Sequence, residues 1–135
     1  MIGKIEHIGI AVKDLKAANL IYEKILGVSS YKEEVVESEG VVTSFFMASN
    51  NKVELLQGIK EDNAISSFIE KRGEGIHHIA FEVEDIYIEM ERLKKEGFIL
   101  VYQEPKKGAD NKLICFVHPK SSNGVLIELC QEIKG

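Results

Sequence analysis

The chain of 135 residues is short of several things, and each shortage narrows what it can be. It has two cysteines, Cys115 and Cys130, both in apolar strand-like surroundings and without metal-type spacing, so they are expected to be buried, reduced thiols. No apolar run approaches the ~20 residues of a membrane span. Met1-Ile2-Gly3-Lys4-Ile5-Glu6 lacks the apolar core of a signal peptide. Positive charge is in deficit: 17 Lys and Arg against 22 Asp and Glu leave a net charge of −5, which argues against a general nucleic-acid or anionic-membrane binder. The expectation is a cytoplasmic protein with neither nucleic acid nor membrane as partner. What remains, 44% apolar and 29% charged residues, is the composition of a soluble globular domain. The length suits a single domain, residues 1–135, that buries about two-thirds of its unfolded surface.

What is present is a repeat. His7-Ile8-Gly9-Ile10-Ala11-Val12-Lys13-Asp14-Leu15 lies over His78-Ile79-Ala80-Phe81-Glu82-Val83-Glu84-Asp85-Ile86 at an offset of 71. At the same offset Tyr31 falls on Tyr102, Glu33 on Glu104 and Phe45 on Phe116. A turn insertion of three residues then shifts the offset to 74, and Val53-Glu54-Leu55 falls on Ile127-Glu128-Leu129. The chain reads as two copies of one unit, modules 1–57 and 76–135 joined by a linker at 58–75.

Residues 5–12 read as a strand on which His7, Gly9 and Ala11 share one face. Asp14 suits a helix N-cap, and Leu15, Ala18, Tyr22, Ile25 and Leu26 follow at helical spacing until Gly27 stops the helix. Strands are expected over 28–36, 41–48 and 52–57, with Glu54 and Leu56 on one face of the last. A short helix is expected around 65–71 in the linker. The second module repeats the order: strand 76–83, helix 85–96 capped by Asp85 and stopped by Gly97, then strands 99–103, 113–118 and 125–131. A polar loop occupies 105–111. The fold class expected is α+β, built of two tandem βαβββ modules.

Each copy opens with a histidine on an apolar strand and closes with a glutamate on another. Adjacent residues face opposite sides of a sheet, so periodicity alone leaves His77 and His78 as alternatives. The repeat selects His78 as the counterpart of His7 and puts His77 in the place of Glu6, read as a solvent-side glutamate. Charge on apolar strands is costly unless paired or metal-bound. His7, Glu54, His78 and Glu128 are therefore the candidate ligands of one divalent metal, two imidazoles and two carboxylates suiting Zn, Co, Ni, Fe or Mn better than Ca.

These residues resemble the glyoxalase-like, or vicinal oxygen chelate, superfamily, with the closest likeness to methylmalonyl-CoA epimerases. The resemblance rests on His7-Ile8-Gly9-Ile10-Ala11-Val12, Val53-Glu54-Leu55-Leu56, the stretch from Lys71 to Phe81, Phe116-Val117-His118-Pro119-Lys120, and Gly124-Val125-Leu126-Ile127-Glu128-Leu129. It implies paired βαβββ modules forming a curved mixed sheet around one divalent ion (Co, Ni, Zn or Mn), with His7, Glu54, His78 and Glu128 as ligands, and a homodimer. It implies an isomerase that epimerises methylmalonyl-CoA, with Glu128 as ligand and catalytic base, Glu54 its mirror on the other face of the substrate, and Lys106, Lys107 and Lys120 toward the CoA phosphates. A glyoxalase I-type lyase acting on a glutathione hemithioacetal shares the metal chemistry and is the alternative. A ligand-sequestering binding protein on the same scaffold is the non-enzymatic one. One departure stands out: some epimerases carry a glutamate after the Gly-Val-Val of the third strand, and here Gly40-Val41-Val42 is followed by Thr43, which cannot take a proton and is read as a strand former.

Overall fold

The structure, a computed structural model, describes residues 1–134. It contains two compact units, one of residues 7–77 and one of residues 1–6 together with 78 onward. Among the described residues, eight strands and three α-helices in a mix of parallel and antiparallel pairings make the fold α+β.

In the first unit the chain runs through β1 (Ile2–Ala11, from His7 onward), α1 (Leu15–Leu26), β2 (Lys32–Val36), β3 (Val41–Ala48), β4 (Asn51–Gly58) and α2 (Ala64–Arg72). The strands lie in the order β2-β3-β4-β1, antiparallel except that β1 runs parallel to β4. A strand can lie parallel to a later one only if the chain crosses back, and α1 begins that crossover. The Asp14 carboxylate accepts the Ala17 amide at 3.2 Å, and Gly27, at φ 74°, ends the helix in the left-handed region. Another orphan amide of the first turn, that of Leu15, donates to Gln57 Oε1 at 2.6 Å, tying the helix start to β4. Val12, Leu15, Ala18, Phe46 and Leu55 form the core between α1 and the sheet. Gly58 ends β4 where Asn63 caps α2: a Cβ there would stand 2.8 Å from the Asn63 side chain, which bonds Gly40 O, Lys60 O and the Ser66 amide.

The second unit repeats the plan with β5 (Gly75–Val83), α3 (Ile86–Lys95), β6 (Lys106–Lys107), β7 (Lys112–Val117) and β8 (Ile127–Glu132), in the order β5-β8-β7-β6 with β5 parallel to β8. Asp85 caps α3 through the Tyr87 and Ile88 amides, and the Ile86 amide donates to Gln131 Oε1 at 2.7 Å. Val83, Ile86, Met90, Leu93, Cys115 and Leu129 pack under that helix.

Four expectations change. Residues 28–31 are not strand; β2 begins at Lys32, although the Tyr31 amide still donates to Phe45 O. Residues 99–103 make a single bridge, Leu100 to Val117, and β6 inside the expected polar loop becomes the edge strand, because Pro105 offers no N–H and the ladder resumes only after it. Ile25 is 67% exposed, since Leu15, Ala18, Tyr22 and Leu26 already complete the stripe that faces the sheet. Glu6 is 6% exposed rather than solvated: its carboxylate lies within 4.8 Å of the buried Cys130 thiol.

Candidate active site

In the first unit the β1–β4 register sets Gly9 beside Glu54, which places His7 diagonally across from that glutamate on the same face. Gly9 has no side chain, so nothing fills the space between them. His7 Nδ1 lies 3.1 Å from Glu54 Oε2, and both residues are 4% exposed.

The second unit builds the same arrangement. Ala80 sits beside Glu128, His78 is again the diagonal neighbour, and His78 Nε2 lies 3.1 Å from Glu128 Oε1. These two are also almost fully buried. His77 is half-buried and sets its ring edge-on to Phe68, with centroids 5.1 Å apart, so the inward histidine of the pair is His78. The four candidate ligands therefore stand as two imidazole–carboxylate pairs, and each pair offers nitrogen and oxygen donors of the kind a divalent ion accepts.

Aromatic side chains flank both pairs at repeat-equivalent positions. Tyr31 packs on Phe45 at 5.9 Å between centroids in the first unit, and Tyr102 on Phe116 at 5.9 Å in the second, where Phe116 also meets the His78 ring edge-on. A lysine lies over each set, Lys32 4.7 Å from the Phe45 centroid and Lys106 4.4 Å from that of Tyr102. Both pairs thus sit against apolar, polarisable walls, where an electrostatic interaction is screened less than in water.

Of the three candidate phosphate lysines, Lys106 pairs with Ile114 and so shares the face of Phe116, Cys130 and Glu128. Lys107 points to the opposite face, beside Leu113, and Lys120 is exposed on the turn after β7, its amide bonded to His118 Nδ1. The register does not bring Lys106 and Lys107 to one side of the strand. Cys115 and Cys130 are buried and unbridged, and burial pushes the Cys115 thiol above its ordinary range, which keeps it protonated and unreactive.

Sequence reasoning misses one site residue. Thr43 is fully buried on β3, on the face it shares with Glu54, and its Oγ1 finds no hydrogen-bond partner among the described residues. Strand propensity explains a threonine there but not an unsatisfied hydroxyl. The available signal is in the repeat: at the offset of 71 its counterpart is Ile114, an apolar residue of similar shape.

The sequence model of the Glyoxalase/Bleomycin resistance protein/Dioxygenase superfamily matches residues 6–116. The chain belongs to that superfamily. It is 44% identical over 133 residues to the ethylmalonyl-CoA/methylmalonyl-CoA epimerase of Cereibacter sphaeroides, covering 97% of this chain and 99% of that one. Among solved structures it is similar to the methylmalonyl-CoA epimerase of Mycobacterium tuberculosis (TM-score 0.92, 35% identity, 96% of this chain and 88% of that one). It is also similar to a glutamine-to-alanine variant of that of Streptomyces coelicolor in complex with 2-nitronate-propionyl-CoA (TM-score 0.94, 33% identity, 99% and 100%). Within the glyoxalase superfamily this chain is a methylmalonyl-CoA epimerase-like isomerase, and these relatives carry epimerase names rather than lyase ones. Among the described residues of this superfamily member no helix is long and apolar enough to cross a membrane.

Proposed function

We propose that this enzyme interconverts the two epimers of methylmalonyl-CoA, and that His7, Glu54, His78 and Glu128 together hold one divalent ion, Co, Ni, Zn or Mn. The observation that carries the reading is the duplication of the histidine–glutamate pair in one register, Gly9 beside Glu54 and Ala80 beside Glu128, in a chain 44% identical to a named epimerase. The donors fit the ion: two buried imidazoles and two buried carboxylates, each imidazole nitrogen 3.1 Å from its carboxylate oxygen. Bound there, the ion would supply Lewis-acid stabilisation of charge developing on the substrate's oxygens.

The chain's own residues divide the proton chemistry. Epimerisation removes the α-proton on one face and returns one on the other. Glu128 is assigned the removal and Glu54 the return, roles that exchange with the direction of reaction. His78 and His7, 3.1 Å from those carboxylates, fix where each oxygen points. Burial at the 4–5% level excludes bulk water, which would otherwise exchange protons without facial control. Lys106, on the face of Glu128, is assigned to the phosphates of the CoA portion as a point charge, with Lys107 and Lys120 as outlying contributors. The assembly is read as a homodimer, which light scattering checks.

Incubation of methylmalonyl-CoA with the enzyme in D₂O, followed by NMR, should show loss of the α-proton signal. A glutathione hemithioacetal offered in parallel should remain unconverted. Conversion of the hemithioacetal with a silent methylmalonyl-CoA spectrum would replace the epimerase by the lyase.

A further inference from the structure

Burying a hydroxyl without a partner is disfavoured, so a fold that does so at Thr43 either gains something elsewhere or leaves the group for a ligand. The second unit shows that the fold does not require it. Thr43 pairs with Leu56 in the first unit as Ile114 pairs with Cys130 in the second, at offsets of 71 and 74, and Ile114 fills its place with carbon alone. The position thus accepts a β-branched apolar residue. Phe45 pairs with Glu54, which makes Thr43 and Glu54 diagonal neighbours on one face, a Cα separation of about 7–8 Å. That gap fits a small polar group between them. A threonine hydroxyl is one donor with two acceptor lone pairs and, unlike a carboxylate, is no base for a carbon-bound proton.

We propose that Thr43 is a substrate-binding residue whose hydroxyl donates to the free carboxylate of a malonyl-type acyl group. The inference rests on the epimerase reading for its choice of ligand. A hydrogen bond from a hydroxyl to a carboxylate is short and charge-assisted, and it satisfies the orphaned donor only while substrate is present. Thr43 then orients the acyl group and leaves both proton transfers to the glutamates.

Thr43→Val keeps the shape and removes the hydroxyl; Thr43→Ser keeps the hydroxyl. In metal-free protein Thr43→Val should raise Tm by about 3 °C or more, because an unsatisfied group has been removed. In the metal-loaded enzyme it should raise KM for methylmalonyl-CoA roughly tenfold or more with kcat changed only a few-fold, and Thr43→Ser should return KM to within a few-fold of the parent. Calorimetry with propionyl-CoA, which lacks the carboxylate, should give the same affinity for parent and Thr43→Val. A Tm that falls or stays level in Thr43→Val overturns the proposal, since the hydroxyl would then have a structural partner. An unchanged KM, or equal losses toward both acyl-CoAs, overturns it as well. A parent enzyme that neither binds nor turns over methylmalonyl-CoA removes the epimerase reading itself, a result separable from a working parent whose Thr43→Val variant is unaffected.

Discussion

The two units share a ladder and differ in what surrounds it. In both, a residue with a small side chain or none, Gly9 or Ala80, sits beside the glutamate, and the histidine two residues earlier reaches it diagonally at 3.1 Å. In both, a glutamine three residues beyond that glutamate accepts the first amide of the helix that follows the histidine's strand. The rings present different nitrogens, Nδ1 from His7 and Nε2 from His78. Thr43 answers Ile114, and Ala18 on α1 answers Glu89 on α3. The lesson is one of division of labour. The backbone register that places a histidine beside a glutamate tolerates no slip, because one residue would turn every side chain to the other face. Positions one strand away are free to become polar in one copy and apolar in the other, as Thr43 and Ile114 are.

The largest effect expected concerns the shared part. Glu54→Gln and Glu128→Gln keep a side-chain oxygen and remove its basicity, so metal content by atomic emission should be largely retained while turnover falls roughly 10²-fold or more. The comparison sharpens in D₂O: if each unit serves one face, the two variants should lose α-proton exchange from opposite starting epimers. Loss from the same epimer in both would leave the units chemically equivalent and break the division argued above.

A smaller effect tests a part present in one unit only. Glu89 is 2% exposed on α3, bonded to the N-terminal ammonium of Met1 and to Arg92 Nε at 3.0 Å. The ammonium first, then the guanidinium, hold its carboxyl below the ordinary carboxylate range, against burial, which opposes them. A carboxylate whose folded pKa is lowered adds stability that is present above its unfolded value, about 4.3, and is lost as pH falls through the lower folded one. Glu89→Gln should cost about 1.5–3 kcal/mol at pH 7, the scale of hydrogen bonds to charged groups. Urea unfolding should also show a shallower loss of stability below about pH 4.3 in the variant than in the parent. Parallel curves for the two proteins would remove Glu89 as the source of the acid sensitivity. The first unit, with Ala18 in that place, has no counterpart to titrate.

Much of the fold and of the site is legible in the sequence, for an identifiable reason. A duplicated sequence reports each feature twice, so Asp14 and Asp85 as caps and the choice of His78 over His77 both follow from agreement between copies. What stays hidden lies where agreement fails or does not reach. The expected strands at 28–36 and 99–103 both start too early, residues 28–31 matching 99–102 in this, but the further delay to Lys106 in the second copy goes with Pro105, whose counterpart Glu34 is no proline. Glu6 reads as solvated because charge usually is, and only its carboxylate's approach to the buried Cys130 thiol shows otherwise. Thr43 is visible as a departure, but that its hydroxyl is orphaned is a three-dimensional fact that periodicity does not carry.

The finest test of the comparison lies in the two glutamines. Gln57 Oε1 takes the Leu15 amide at 2.6 Å and Gln131 Oε1 takes the Ile86 amide at 2.7 Å, in each case one of the donors that a helix start leaves without a partner. The aspartate caps satisfy other amides, Ala17 in one unit and Tyr87 with Ile88 in the other, so each glutamine acts beside its cap rather than in place of it. Gln57→Ala and Gln131→Ala should each destabilise by about 1 kcal/mol, the net worth of one neutral hydrogen bond. Because the two bonds occupy the same place in the same register, the costs should agree to within about 0.5 kcal/mol, and the double variant should cost their sum, the two bonds sharing no partner. Thermal melts of the three variants decide it. A cost found in one unit alone would mean that the repeat preserves the contact without its energy, and the equivalence of the two frames would then hold for geometry only.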